Sequence, residues 1–216
     1  MRRALPVLLM AVPCLRAGAP PQAPPAPAKL DDGLLDPAWF GPDAVLAKGA
    51  EADYVWIRPG LRLEGRTVRA GEWADPLMLR PRAEGRDLAA ATRLTDLFPP
   101  LLRGALKTAF KGRAAVSRAG GDILLVARIV DADAGSTFGG RTVSASGNCD
   151  SVTWDLKLLR ASDGQVLLAA HHRIVRSGFG AAVISPIEEH FASWADDFAR
   201  WLAEAALQES GRAGVN

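Results

Sequence analysis

The feature that most constrains the fold is a stretch of aromatic and aliphatic residues near the carboxyl end of the chain. From residue 187 to residue 205 these residues recur every three or four positions, and charged residues fill the positions between them. This spacing places the apolar side chains on one face of an α-helix. The stripe consists of Ile187, Phe191, Trp194, Phe198, Trp201, Leu202 and Ala205. Burying each large side chain is worth about 1.5–3 kcal/mol, so we expect this helix to close the core by docking on a sheet.

The start of this helix is marked by a capping box. In Ser185-Pro186-Ile187-Glu188, the Ser185 hydroxyl can accept a hydrogen bond from the amide of Glu188, whose carboxylate can reach back to the amide of Ser185. Proline suits the first helical position because the amide proton that it lacks would have no partner there. The sequence therefore predicts a helix that begins next to Ser185.

Three stretches predict the sheet on which this helix docks. Residues 122–131 are apolar on both alternating faces, apart from Arg128, which indicates a central strand that is covered on both sides. Residues 152–158 alternate between apolar and polar side chains, which indicates a strand with one face in water. The turn at 161–164 contains Asp-Gly and predicts a hairpin with the strand 166–175.

The preceding part of the chain predicts two weaker strands and two helices. Residues 54–57 and 66–73 indicate the strands. Asp87 precedes a helical stretch that Pro99-Pro100 interrupts, so we expect one helix to end near Leu97 and a second to run from Pro99 to Gly112. The order strands, helices, strand, hairpin, helix implies an α+β fold: a mixed, largely antiparallel sheet with helices packed mainly on one face.

The first 19 residues have the layout of a secretory signal peptide. Arginines at positions 2 and 3 precede a short apolar run at 5–12 and small residues at 17–19. This run is far shorter than the roughly 20 residues that cross a bilayer. We expect a signal peptide at 1–19, a proline-rich spacer and irregular lead-in at 20–49, a single α+β domain at 50–210 and a tail at 211–216.

Cys14 leaves two mature forms open. Cleavage near Ala17 or Ala19 would release the protein into the periplasm, whereas acylation of Cys14 would tether it to the outer membrane. Pro13 stands where a lipoprotein signal has a small residue. We expect an exported protein that associates with a membrane only if Cys14 is lipidated.

The charge distribution excludes a general attraction to nucleic acid. Three of the 26 basic residues precede residue 20, whereas all 24 acidic residues follow it. The remainder of the chain is therefore nearly neutral and exerts no general pull on polyanions. We expect no nucleic-acid partner.

Three patterns resemble chemical motifs and are better explained as structure. Residues 135–142 have the spacing of a phosphate-binding loop but run into a predicted strand rather than a helix. Asp131 and Asp133 resemble the start of a calcium loop that lacks its remaining ligands. His171 and His172 are neighbours on a strand, so their side chains point to opposite faces. We assign no catalytic, cofactor-binding or metal-binding residue.

Aromatic residues outside the predicted core are candidate contact points for a partner. Trp39 and Phe40 lie in the lead-in, and Phe138 and Phe179 lie in glycine-rich loops. Large apolar side chains at such positions are candidates for binding a protein or a lipid. Packing against the edge of the domain is the alternative.

Three segments carry a resemblance to known proteins: residues 53–60, residues 121–128, and the hairpin at 154–168 that precedes a terminal helix. Over residues 53–207 this layout resembles small bacterial envelope lipoproteins of unknown function. It is also similar in layout to the amino-terminal domain of TolB and to auxiliary lipoproteins of ABC-type lipid transport systems. The resemblance implies a non-catalytic module of the cell envelope that binds a partner.

The function that we expect from the sequence is therefore binding rather than catalysis. The leading hypothesis is a non-catalytic exported protein that binds an envelope protein or a lipid-transport partner. The first alternative is a secreted metal-dependent hydrolase that uses His172, His190 and nearby carboxylates. The second is a structural surface component.

Overall fold

The computed structural model describes residues 31–81, 83–134, 137–138, 141–142, 150–175 and 186–207. Within these residues it contains a short 3-10 helix at Asp31–Gly33 and three α-helices, namely α1 (Pro37–Phe40), α2 (Gly85–Phe110) and α3 (Ile187–Ala206). The strands are β1 (Tyr54–Ile57), β2 (Thr67–Ala70), β3 (Ala115–Ser117), β4 (Ile123–Asp133), β5 (Thr137–Phe138), β6 (Arg141–Thr142), β7 (Ser151–Arg160) and β8 (Val166–Val175).

Six of these strands form one sheet in the order β1-β8-β7-β4-β2-β3. The pairs β1–β8, β8–β7 and β7–β4 are antiparallel, and β2 is parallel to both β4 and β3. β5 and β6 form a separate antiparallel pair. The predicted α+β class, with a mixed and largely antiparallel sheet, is confirmed. The central position of β4 and the β7–β8 hairpin are also as predicted.

Both long helices pack on one face of the sheet, which we call the inner face. Phe98 of α2 and Phe191 of α3 stack with their ring centroids 3.7 Å apart, and Trp154 of β7 packs edge-on against both rings. The indole nitrogen of Trp194 donates a hydrogen bond to the carbonyl of Glu51 at 2.8 Å. α3 thus docks on the sheet through its apolar stripe, although Trp201 is only half-buried and Ala205 is exposed.

α2 is one helix, so the prediction of two helices divided at Pro99-Pro100 is wrong. The buried side chains of α2 continue at helical spacing on both sides of the two prolines, at Leu94, Phe98, Leu102 and Leu106. Packing of this continuous stripe outweighs the two amide donors that the prolines remove. The helix ends at a left-handed Lys111, followed by Gly112 with φ of 78°.

The two long helices also begin differently from the prediction. Asp87 is the third residue of α2, where its carboxylate accepts a hydrogen bond from the amide of Glu84 at 2.8 Å. At the start of α3, Pro186 is the N-terminal cap, and the carboxylate of Glu188 forms an ion pair with Arg93 of α2 at 2.6 Å. Ser185, the predicted cap, lies outside the described residues.

The opposite, outer face of the sheet is covered at β1, β7 and β8, so the prediction that β7 has one face in water is wrong. Thr153 and Asp155, on the face expected to be wet, have no exposed surface. The cover is the described part of the predicted lead-in: Leu35, Phe40 and Ala44 pack against Ala169 of β8. Ala47 also bridges to Val55. The residues that cover this face precede residue 50, where the domain was predicted to begin. A strand that is covered in this way shows the same alternation of apolar and polar residues as a strand with one face in water.

Among the described helices, none has the length and hydropathy that crossing a bilayer requires.

Candidate functional site

A row of charged side chains lies buried on the outer face. Arg128 on β4, Asp155 on β7 and His171 on β8 are direct partners across neighbouring strands. The guanidinium of Arg128 contacts one oxygen of Asp155 at 2.8 Å and 3.0 Å, and the other oxygen lies 2.7 Å from Nδ1 of His171. We call Arg128, Asp155 and His171 the buried charged row.

The lead-in completes and covers this row. Asp31 lies 3.2 Å from Nε2 of His171, so both ring nitrogens of that histidine have a carboxylate partner. The ring of Trp39 lies over the guanidinium of Arg128, with 4.4 Å between Cζ and the ring centroid, and over Nζ of Lys157 at 4.0 Å. Such contacts stabilise a cation by about 0.5–2 kcal/mol. The row is therefore closed from solvent by residues that precede the sheet in the chain.

Lys157 is held at the edge of the row. Its ammonium donates a hydrogen bond to the backbone carbonyl of Trp39 at 2.6 Å. Burial lowers the pKa of the Lys157 amine, the nearby Arg128 lowers it further, and Asp155 opposes both effects. The hydrogen bond from this amine to Trp39 attaches the lead-in to β7, and the ring of Trp39 covers the amine.

The aspartates that resembled a calcium loop surround an arginine. Arg80 contacts Asp131 at 3.1 Å, Asp133 at 3.2 Å and Asp87 at 3.4 Å. Burial raises the pKa of Asp131, although Arg80 and Arg173 act in the opposite direction. Burial lowers the pKa of Arg80, but the three carboxylates outweigh that effect and raise it. These carboxylates fix the loop before α2 to the end of β4.

The histidines of the hydrolase alternative lie in different surroundings. His172 stacks on the indole of Trp194, with centroids 5.5 Å apart, and its Nδ1 lies 3.0 Å from Asp53. His190 is exposed on α3. In the ranges that the structure describes, no three histidine, cysteine, aspartate or glutamate side chains converge as metal ligands would.

An exposed apolar stripe lies in the middle of α2. Leu97 and Leu101 are 38% and 36% exposed, and Pro100 and Gly104 between and beyond them are exposed as well. Positions 97, 100, 101 and 104 follow helical spacing and therefore form one strip on the side away from the core. A side chain placed at Gly104 would meet no atom within 4 Å. We call Leu97, Pro100, Leu101 and Gly104 the α2 stripe.

The predicted contact residues have different outcomes. Phe40 is fully buried against the sheet, so its ring is not at the surface that a partner would touch. Trp39 is half-buried, and its ring covers the buried charged row. The side chain of Phe138 and all of Phe179, Cys14 and Cys149 lie outside what the structure describes.

Sequence reasoning missed the buried charged row and the α2 stripe. The sequence does contain a sign of the row. Arg128 is a charged residue in the middle of an apolar strand, and Asp155 and His171 are polar residues on the two strands that follow it. The α2 stripe was missed because a helix divided at Pro99-Pro100 would place residue 97 at an end.

Comparison with known proteins gives likenesses at the level of the fold. No family model matches this chain, and no curated protein matches it. A dodecamer of a PelC variant from Paraburkholderia phytofirmans is similar with a TM-score of 0.44 and 10% identity, covering 71% of this chain and 96% of that one. Protein XCC0632 from Xanthomonas campestris has a TM-score of 0.37 and 19% identity, covering 67% and 88%. A "putative lipoprotein" from Caulobacter crescentus has a TM-score of 0.28 and 16% identity, covering 63% and 86%.

These solved structures thus include one named as a lipoprotein of a bacterium. Because the TM-scores and identities are low, the functional proposal rests on the residues of this chain alone. The similarity in layout to TolB and to ABC-transport lipoproteins stays a prediction.

Proposed function

We propose that this chain is a non-catalytic, exported protein of a bacterial cell envelope that binds a protein partner through the α2 stripe. The partner is an envelope protein, and the resemblance in layout to auxiliary lipoproteins of ABC-type lipid transport systems makes a lipid-transport component one candidate for it. The observation that carries the proposal is the run of exposed apolar side chains at positions 97, 100 and 101 of one helix.

The composition of the α2 stripe suits contact with another protein. Leu97 and Leu101 present aliphatic side chains about one helical turn apart, which is how a helix face enters an apolar groove. The ring of Pro100 adds exposed apolar surface beside the two leucines. Gly104 lets the backbone of a partner approach closely, since nothing lies within 4 Å of the place where its side chain would begin.

The surroundings of the reactive side chains support binding over catalysis. Asp155 and His171, which have the residue types of a catalytic pair, are both 0% exposed and bonded to each other and to Arg128 or Asp31. A general base must come within hydrogen-bond reach of a substrate. Side chains that are buried and paired with each other contribute to the stability of the sheet rather than to a reaction.

Site-specific photo-crosslinking in the native envelope tests this proposal. A photoreactive residue at position 97 or 101 of the full chain is expected to give a crosslinked product with one defined protein of another sequence. The matched control is position 48, an exposed lysine of the segment on the opposite side of the sheet, which is expected to give no such product.

Two outcomes would overturn the proposal. Products of equal yield from positions 97 and 48 would mean that the α2 stripe is not a specific surface. A product that contains only a second copy of this chain would favour the structural surface component. Leu97→Asp should abolish the product formed from position 101, while Lys48→Glu should leave it unchanged.

A further inference from the structure

A second surface feature is a cleft of about 740 Å³ at one end of the six-stranded sheet. It is lined by Arg58-Pro59-Gly60, which follow β1, by the start of β4 and by the turn between β7 and β8. A volume of this size falls in the range of roughly 300–1,000 Å³ that small-molecule sites occupy. The cleft is large enough for a ligand with several non-hydrogen atoms.

Basic side chains dominate the lining of this cleft. Arg58, Arg62, Arg66 and Arg160 line it together with one acidic residue, Asp122. The carboxylate of Asp122 already accepts a hydrogen bond from the amide of Thr67 at 3.0 Å. In a protein whose overall charge is nearly balanced, four guanidinium groups around one cavity are a local concentration of positive charge.

Two of the four arginines are held in place by protein partners. Arg58 donates from Nε to the carbonyl of Val166 at 2.8 Å and pairs with Asp43 at 2.9 Å. Arg160 pairs with Asp163 at 2.9 Å. Their side chains are thereby positioned along the rim before any ligand arrives, which reduces the entropy lost on binding.

The other two arginines carry the uncompensated charge. Arg62 and Arg66 are exposed, and within the described residues no hydrogen bond or ion pair engages their guanidinium groups. Each presents a planar set of donors that fits the oxygens of a phosphate group, and paired contacts of this kind are stronger than neutral hydrogen bonds.

Part of the cleft lining is apolar. Leu61 and Pro59 contribute aliphatic surface, and Leu167 and Ile123, which are almost completely buried, also line it. An anion alone would gain nothing from this apolar part. A ligand that joins a phosphate to a small apolar or carbon-rich group would use both parts of the cleft.

We propose that this cleft binds the phosphate group of a phosphate-bearing organic ligand, with Arg62 and Arg66 as the principal contacts. A phosphate group offers more oxygen acceptors than a carboxylate, and so it can engage several guanidinium groups at once. The proposal is independent of the protein partner at the α2 stripe, since the two sites share no residue.

Titration of the purified full-length protein with two probes tests the proposal and separates free from lipid-borne phosphate. The first probe is glycerol 3-phosphate, followed by calorimetry. The second is vesicles of phosphatidylglycerol in phosphatidylcholine, compared with vesicles of phosphatidylcholine alone by co-sedimentation. Saturable binding of the first probe identifies a soluble ligand, and binding of only the anionic vesicles identifies a lipid headgroup. Binding of neither probe overturns the proposal.

The arginine substitutions make the site assignment falsifiable. The double variant Arg62→Gln/Arg66→Gln is expected to weaken binding of the responsive probe at least tenfold. Arg69→Gln removes an exposed arginine of β2 that does not line the cleft, and it should change binding less than twofold. Equal losses in both variants, or no loss in the double variant, would overturn the assignment, and a thermal unfolding curve for each protein shows that the fold is retained.

Discussion

At the residue scale, the buried charged row shows how a polar group can lie inside this protein without serving as a reaction centre. Asp155 is completely buried between the guanidinium of Arg128 and the imidazole of His171. A buried ion pair adds little net stability, because desolvation of both charges offsets their attraction. Removing one partner strongly destabilises the fold, because the remaining charge then lies buried without compensation. We therefore expect the row to favour the observed strand pairing and register, because any other pairing would separate these buried charges.

Replacement of Asp155 tests this role. Asp155→Asn keeps the size of the side chain but leaves Arg128 without a carboxylate, and the expected loss in unfolding free energy is about 3–5 kcal/mol. The matched control is Asp163→Asn, which alters an exposed pair with Arg160 and should leave the stability nearly unchanged. Urea denaturation of the three proteins measures both effects. A similar midpoint for Asp155→Asn and the parent protein would contradict a structural role for the row.

The pair of Asp53 and His172 gives a prediction about pH. Burial raises the pKa of Asp53, but hydrogen bonds from His172 and from the amide of Arg173 outweigh it and lower the pKa below the usual value. A carboxyl whose pKa is lower in the folded state stabilises the fold above its unfolded pKa and loses that contribution as the pH falls through its folded pKa.

We therefore expect Asp53→Asn to be less stable than the parent protein at pH 6, and the difference to shrink as the pH falls below about 4. Denaturation curves collected between pH 6 and pH 2.5 measure this difference. A difference that grows on acidification would show that the sign is wrong.

At the scale of the elements, α2 is held together by its packing rather than by its local sequence. Pro99 and Pro100 lie in its middle, yet the buried stripe from Leu94 to Leu106 continues past them. Pro99 is buried in that stripe, whereas Pro100 is exposed. The two prolines thus differ in what they contribute to the fold, and that difference can be measured.

Pro100→Ala is expected to stabilise the protein by about 2 kcal/mol. The substitution restores an amide donor for the carbonyl of Asp96 and removes a ring that crowds the helix, which outweighs the entropy that the unfolded chain regains. Pro99→Ala restores a donor too, but it also loses buried contacts, so its gain should be smaller. Thermal unfolding ranks the variants. Equal effects at the two positions would contradict the difference in burial.

Local periodicity determined how much of the element layout could be predicted from the sequence. α3 and the β7–β8 hairpin follow from patterns contained within the segments themselves, such as the spacing of Phe191, Trp194 and Phe198. The cover of β7 does not, because Lys157 bonds to Trp39 across 118 positions and His171 contacts Asp31 across 140. The candidate site was unpredictable for a related reason: the exposure of Leu97 depends on which side of α2 meets the sheet.

At the scale of the whole molecule, the sheet is covered on its inner face by helices and on its outer face, over β1, β7 and β8, by the lead-in. The helices are α2 and α3, and the segment around Phe40 is the part of the lead-in that packs on the outer face. In the part of the chain that the structure describes, the exposed surfaces include the α2 stripe on one helix and the arginine-lined cleft at one end of the sheet. A body covered in this way suits a protein that presents fixed surfaces to partners, which is the central claim for its function.

Hydroxyl-radical footprinting of the full chain in its native envelope, compared with the purified protein, tests that claim most directly. Leu97 and Leu101 should be oxidised less in the envelope, because a partner covers them there. Leu77, which is 46% exposed and lies outside the stripe, should be oxidised equally in both samples. Unchanged oxidation of Leu97 and Leu101, or an equal decrease at all three leucines, would contradict the assignment of α2 as the binding surface.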